Sequence, residues 1–210
     1  MSSFTKLSGN IIIISAPSGA GKSSIINALV CSCNDMVYST SYTTRLPRKG
    51  EEHGKNYFFV VESEFRKMVE KKEFAEWAKV HDNYYGTSKV LLENMLKMGK
   101  TVLLELDVQG GVNIKRRYPV ACMIFIMTPD LKTLEKRLVE RKKDCMKTIN
   151  MRLNNAKKEL RSLEKYEYLV INKNLNDSVY AVRTIIKSLN YKIQKNNGYF
   201  VKHWEKIKWC

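Results

Sequence analysis

The stretch from Asn10 to Leu29, NIIIISAPSGAGKSSIINAL, constrains the fold of this chain more than any other part of it. Ile11 to Ile14 form an unbroken β-branched run, which predicts a strand buried on both faces. The small residues from Ser15 to Gly21 follow at once, with Gly19 and Gly21 letting backbone amides approach a ligand without Cβ atoms in the way. Ser24 to Val30 then has helical spacing. A strand, a glycine loop and Gly-Lys-Ser at a helix start make the context of a phosphate-binding P-loop. Loop amides and the helix N-terminus offer partial positive charge to phosphate oxygens, Lys22 adds a full charge, and the Ser23 hydroxyl is a ligand for magnesium. The usual pattern opens with glycine, where this chain has Ala16.

A chain of 210 residues, 44% hydrophobic, has room for one α/β domain with insertions and is short for two. No apolar run reaches membrane-spanning length, and the N-terminal MSSFTKLSGN lacks the apolar stretch of a secretory signal, so the expectation is a cytoplasmic protein. The five cysteines show no paired spacing of a zinc site or disulfide framework, which points to reduced thiols. The net charge of +16 fits a nucleic-acid binder, a site for polyanionic small molecules or a lysine-rich solvated surface. The charge is scattered and is not interleaved with aromatics as on an RNA-binding strand, which favours nucleotide binding.

Further along, Met36 to Thr43 reads as a strand, followed by a hydroxyl-rich segment with Arg45, Arg48 and Lys49 and a turn-rich patch from Pro47 to Gly54. Tyr57–Val61 predicts another strand, Ser63–Lys71 a short helix, and Phe74–Val80 and Asn83–Tyr85 two more strands around a turn at His81 and Asp82. Ser88–Met98 has helix spacing and stops at Gly99. Thr101–Leu106, Val120–Met127 and Tyr168–Ile171 are candidate core strands, with Leu175–Leu189 a closing helix. Thr128-Pro129 reads as the cap and first turn of the helix after the third core strand. The charged run from Lys132 to Lys158 fits either a solvated helical face or a mobile lid over phosphates. Alternating strands and helices predict a right-handed, mostly parallel α/β sheet.

Taken together, SAPSGAGKSS, TTRLPRKGE, NYFF, EWA, NYYGTS, LDVQG and the basic lid segment resemble the guanylate kinase family of P-loop nucleoside monophosphate kinases, in order and spacing, from about Ile11 to Leu189. The resemblance implies transfer of phosphate from ATP to GMP, and to dGMP, with magnesium. It also implies a single domain over 1–210: a P-loop core at about 9–38, 90–135 and 153–190, a mixed GMP-binding lobe at 39–89, a lid at 136–152 and an extension at 191–210. Under it, Ala16, Pro17, Ser18, Gly19, Ala20, Gly21, Lys22, Ser23, Ser24, Arg137 and Asn172 bind ATP, and Ser23 serves the metal. Arg45, Arg48, Tyr57 and Tyr85 hold the GMP phosphate. Glu76, assisted by Asp107, accepts the two adjacent donors of guanine, while Ser41 and Thr87, next to Gly86, reach its carbonyl. Lys22, Arg48, Arg141 and Arg152 are the implied catalytic cations.

Three departures stand out: Glu105 begins the acidic pair where the family has Asp, Lys142-Lys143 replace a lid glycine, and Lys173 follows Asn172 where an acid is commoner. His53 and His81 read as surface or turn residues. The tail after Tyr191, with Trp204 and Trp209, reads as an extra helix or extension, with a membrane-surface role as the sharper alternative. The implied partners are ATP and GMP, with no specific nucleic acid and no membrane, in a monomer or homodimer. The competing functions are a non-catalytic guanylate-kinase-like interaction domain, which typically loses the loop lysine or lid arginines, and a P-loop protein acting on RNA.

Overall fold

A computed structural model describes residues 9–80, 82–140 and 145–192. In chain order the elements are β1 (Asn10–Ser15), α1 (Lys22–Ser32), β2 (Met36–Tyr38), β3 (Tyr42–Thr43), β4 (Phe58–Phe59), α2 (Glu62–Glu70), β5 (Phe74–Val80) and β6 (Asn83–Ser88). They continue with α3 (Lys89–Lys97), β7 (Thr101–Glu105), α4 (Val108–Arg117), β8 (Cys122–Met127), α5 (Leu131–Glu140), α6 (Met146–Leu160), β9 (Tyr168–Ile171) and α7 (Leu175–Ser188).

The isoleucine strand lies at the centre of an all-parallel sheet of order β2-β7-β1-β8-β9. Its alternation divides the core. Ile12 and Ile14 pack with Ile25, Ile26, Leu29 and Val182, while Ile11 and Ile13 pack on the other face with Leu92, Leu96 and Ile114. All four are 3% exposed or less, and full burial of such a side chain contributes roughly 1.5–3 kcal/mol. From β1 the chain winds to β2 and β7 on one side and then crosses to β8 and β9 on the other. The C-terminal end of β1 therefore sits where the winding reverses, the position at which open α/β sheets bind ligands. A second, mixed sheet of order β4-β3-β6-β5 lies beside the first, joined to it through α3 and α4, both of which pack on β5.

The predicted strand Met36–Thr43 is two strands in different sheets. The chain leaves the parallel sheet after Tyr38, and Tyr42 and Thr43 pair instead with β4 and β6. The strand predicted over Tyr57–Val61 shrinks to Phe58–Phe59, because Val61 is already the N-cap of α2. Helix α4 carries no helical signature in the sequence, since Gly110-Gly111 in its first turns reads as a breaker. The glycines serve close packing: a Cβ on Gly111 would lie 3.1 Å from both Ile13 and Met123. The cap expected at Thr128-Pro129 lies two residues further on. Asp130 caps α5, its carboxylate accepting the Thr133 amide at 2.7 Å, and Thr128 donates its hydroxyl to the Asp130 carbonyl.

The charged run is only half solvated. Leu134, Leu138, Ile149, Leu153 and Ala156 of α5 and α6 bury against Phe125 and Met127. The four described cysteines are free thiols. His53 sits in a turn, where its Nδ1 accepts the Phe59 amide at 3.2 Å. His81, Arg141, Lys142, Lys143, Trp204 and Trp209 lie outside the described residues.

Candidate active site

The loop after β1 folds around its two glycines. Both Gly19 and Gly21 have φ +96°, a left-handed conformation that side chains with a Cβ disfavour. Gly21 is also the N-cap of α1, with no side-chain cap and no acid in the first turn. The first amides of α1 are thereby left for an external acceptor, which is the local condition for anion binding. The loop is gripped from outside. The Ala20 carbonyl accepts from Asn172 Nδ2 at 2.7 Å, and Arg137 reaches the carbonyls of Asn172 (3.0 Å) and Lys173 (3.3 Å), with Ala20 at 3.5 Å. Arg152 donates to Ser18 Oγ at 2.9 Å, tying α6 to the loop.

A cavity of about 450 Å³ opens over this loop, lined by Ala16 to Gly19, Gly21 to Ser23, Tyr38, Arg45, Arg48, Glu51, Tyr57 and Glu105 among others. Glu105, at the end of β7, lies 3.5 Å from Lys22 Nζ and accepts the Ser23 hydroxyl at 3.2 Å. This is the acid that departs from the family's Asp, and its extra methylene brings it to the loop. Ser23 and Glu105 together present hard oxygens of the kind magnesium prefers, beside a space wide enough for phosphates. Among the described residues no cluster of three or more His, Cys, Asp or Glu forms a metal cage. A magnesium ion held by one or two protein oxygens plus substrate phosphates matches that donor set.

A second cavity of about 200 Å³ shares Lys22, Tyr57 and Glu105 with the first and runs to Ser41, Glu76, Tyr85 and Asp107. Glu76 is its charged floor, 7% exposed on β5. Burial pushes its carboxyl up to about 7, helped by the nearby Asp107 charge, while a hydrogen bond from Thr87 Oγ1 at 2.8 Å works against the shift. A half-ionised buried carboxylate facing a cavity is a poised acceptor awaiting donors. Asp107 caps α4 through the Gly110 amide at 2.8 Å, so this carboxylate is anchored as well as nearby. Burial together with the charge of Glu105 pushes the Tyr57 phenol up to about 12 and raises that of Tyr38 further, keeping both as hydroxyl donors.

Most of the predicted residues converge on these two cavities, and several take a form the sequence does not reveal. The side chain of Asn172 is engaged at both ends, by Ala20 and by Ser178 at 2.9 Å, so it acts on the loop. Ser24 lies beside Arg137 and Asn172 in a separate open depression on the outer side of the loop. The Thr87 hydroxyl is engaged by Glu76. Gly86 lines neither cavity. A Cβ there would stand 2.8 Å from the Phe74 ring, so its role is to admit that ring beneath β6. Ser41 is 6% exposed at the Glu76 cavity. Arg141 lies outside the described residues. Sequence reasoning missed Tyr38 and Glu51. The first is signalled by its place at the end of a core strand, the second by the acid that closes TTRLPRKGE.

A family model described as guanylate kinase matches residues 8–189. A guanylate kinase of Helicobacter pylori (strain ATCC 700392 / 26695) is 45% identical over 188 residues, covering 90% of this chain and 91% of that protein. One from Thermotoga maritima is 39% identical over 207 residues, covering 96% of this chain and all of its own length. Among solved structures, the crystal structure of guanylate kinase from Anaplasma phagocytophilum aligns with TM-score 0.73 at 30% identity, over 91% of this chain and 90% of that one.

Proposed function

The chain belongs to the guanylate kinase family, and on that premise we propose that its two confluent cavities seat the two nucleotides of one phosphoryl transfer. The protein is a nucleoside monophosphate kinase that phosphorylates GMP at the expense of ATP. The observation that carries the reading of the site is Lys22, which lines both the loop cavity and the cavity floored by Glu76.

ATP lies over the loop, its phosphates taking the open amides of α1 and the Lys22 ammonium, with Arg137 and Asn172 bracing the loop from behind. GMP enters the second cavity. Its N1–H and exocyclic amine donate to Glu76, supported by Asp107, and its carbonyl faces Ser41. Adenine presents a lone pair at N1, so it would leave the buried carboxylate unpaired; such a mismatch enforces discrimination on the order of 10⁴-fold. Arg45, Arg48, Tyr57 and Tyr85 take the GMP phosphate.

An oxygen of that phosphate attacks the γ-phosphorus while the bond to the β–γ bridging oxygen breaks, and ADP departs with the electron pair. The protein's part is alignment and charge neutralisation. Lys22, Arg48 and Arg152 supply positive charge around the transferring group, with Arg141 in the same role on the lid segment 136–152. Bound magnesium, held by Ser23 with Glu105 behind it, would neutralise phosphate charge. The four-stranded sheet, within about 39–89, serves as the GMP lobe, and dGMP, which presents the same base and phosphate, is a second acceptor. The nucleotide substrates fit a cytoplasmic setting, and none of the described helices is long and apolar enough to cross a membrane.

The test is ADP release by the purified full chain with ATP and magnesium, offering GMP, dGMP, AMP, UMP and CMP in turn. Turnover confined to guanine nucleotides is the expected result. A folded protein that binds GMP and turns over none of the five would transfer the reading to a non-catalytic interaction domain.

A further inference from the structure

Of the two arginines assigned to the GMP phosphate, Arg45 has its guanidinium held by neighbouring groups. The guanidinium of Arg45 offers five N–H donors. Nη1 donates to Glu51 Oε2 at 2.9 Å and to the Leu46 carbonyl at 2.7 Å, and Nη2 donates to Glu51 Oε1 at 3.0 Å. The group lies over the rings of Tyr57 (5.4 Å) and Phe59 (5.8 Å). Glu51 Oε2 also accepts the backbone amide of Arg48 at 2.7 Å, and the Glu51 amide returns to the Arg48 carbonyl at 2.9 Å. Gly50, with φ +85°, supplies the left-handed residue such a turn requires.

Two readings of Glu51 are open to chemistry. As an anion already seated on Arg45, it would compete with the incoming phosphate. As an anchor, it would hold the loop so that the remaining donors face the cavity. The bond pattern decides between them. Glu51 takes the end-on edge of the guanidinium and Leu46 the outer Nη1 hydrogen. Glu51 and Leu46 leave Nε–H and the second Nη2–H, the side-on fork that grips phosphate in a bidentate pair, to the side of Tyr85, whose hydroxyl also hydrogen-bonds the Arg45 guanidinium and is itself assigned to the GMP phosphate. The same carboxylate fixes the backbone of Arg48 and leaves its side chain to line the loop cavity.

We propose that Glu51 is a positioning residue that pre-orders Arg45 and Arg48 for the GMP phosphate. The inference rests on the proposed reading that the GMP phosphate sits where the loop cavity, with Arg45 and Arg48, meets the Glu76 cavity at Tyr57. Glu51 stays ionised to do this, its carboxyl held below the usual range chiefly by the hydrogen bonds from Arg45. Without it, the Arg45 guanidinium must be ordered by the ligand itself, and the Arg48 backbone loses the acceptor of its amide. Together these should cost roughly tenfold in affinity.

The experiment compares the full-length wild type with Glu51→Gln and Glu51→Asp. Steady-state kinetics with GMP or ATP varied are paired with calorimetric binding of GMP and of guanosine, which lacks the phosphate. For Glu51→Gln the expected result is a GMP KM and Kd raised about tenfold, with kcat, the ATP KM and guanosine binding within twofold of wild type. Glu51→Asp, which keeps the charge on a shorter arm, should fall between the two. Tighter GMP binding in Glu51→Gln would make Glu51 a competitor and overturn the proposal. Equal weakening of GMP and guanosine, or a joint rise in both KM values with a lowered melting temperature, would reduce it to a structural residue and overturn it too. A wild type that does not phosphorylate GMP would instead remove the underlying site reading.

Discussion

Replacing Glu76 by Gln should stabilise the protein while damaging its selection of GMP, and the size of the first effect follows from the buried carboxyl. Its ordinary value is 4.5 and the site raises it to about 7, principally through burial. That rise, at about 1.36 kcal/mol per tenfold change in proton affinity, makes the ionised carboxylate a burden of about 3 kcal/mol on the free protein. Because the folded-state value is the higher one, the neutral acid's contribution is complete below about pH 4.5. It is lost progressively up to about pH 7 and stays lost above. Glutamine does not titrate, and its Oε1 can still accept the Thr87 hydroxyl. The variant should match wild type near pH 4.5 and exceed it by about 3 kcal/mol at pH 8. For a chain of this size that is roughly 6–12 °C in melting temperature. The assay is thermal unfolding of both proteins at half-unit steps from pH 4.5 to 8, with and without GMP. GMP should protect wild type far more than the variant at pH 8, since only the carboxylate can take both guanine donors. A melting-temperature gain independent of pH, or none at pH 8, would refute the assignment of charge burial at Glu76.

Three other outcomes follow from the loop. Lys22→Ala should lower kcat by about 10²–10³-fold with an unchanged melting temperature, measured by ADP release at saturating substrates. Gly21→Ala should cost on the order of 1–3 kcal/mol in denaturant unfolding and weaken ATP binding, because the residue has φ +96° and its new Cβ would sit 2.3 Å from Asn172 Nδ2. Arg137→Ala removes the cation that gathers the Asn172, Lys173 and Ala20 carbonyls, and should raise the ATP KM roughly tenfold while leaving the GMP KM in place.

The parallel core was legible because its strands are continuous apolar runs bounded by glycine or polar turns. Tyr168–Ile171 was delimited to the residue, and α1, α2, α3 and α7 came within about two residues at most ends. What was illegible depended on partners far away in the chain. Nothing local in STSYTT says that Tyr38 and Tyr42 belong to different sheets, and two adjacent glycines hid α4 because their purpose is contact with Ile13, Met123, Glu76 and Asp107. The site divides in the same way. Lys22, Arg45 and Arg48 are residue types with one evident chemistry, and they line the loop cavity; Glu76, singled out by the family resemblance alone, lies buried at the second. Asn172, Thr87 and Gly86 carry chemistry that only their neighbours define. Glu51 was in plain view within TTRLPRKGE, and its role emerges only from the three donors it gathers.

The two sheets divide the proposed work of the site between them. The loop proposed for the triphosphate hangs from the central strand of one sheet, and the carboxylate proposed to read the base hangs from β5 of another. They meet only where side chains from both line a shared wall at Lys22, Tyr57 and Glu105. Substitutions in the short strands of the second sheet should therefore alter the base that is accepted and leave the phosphate chemistry of the loop in place.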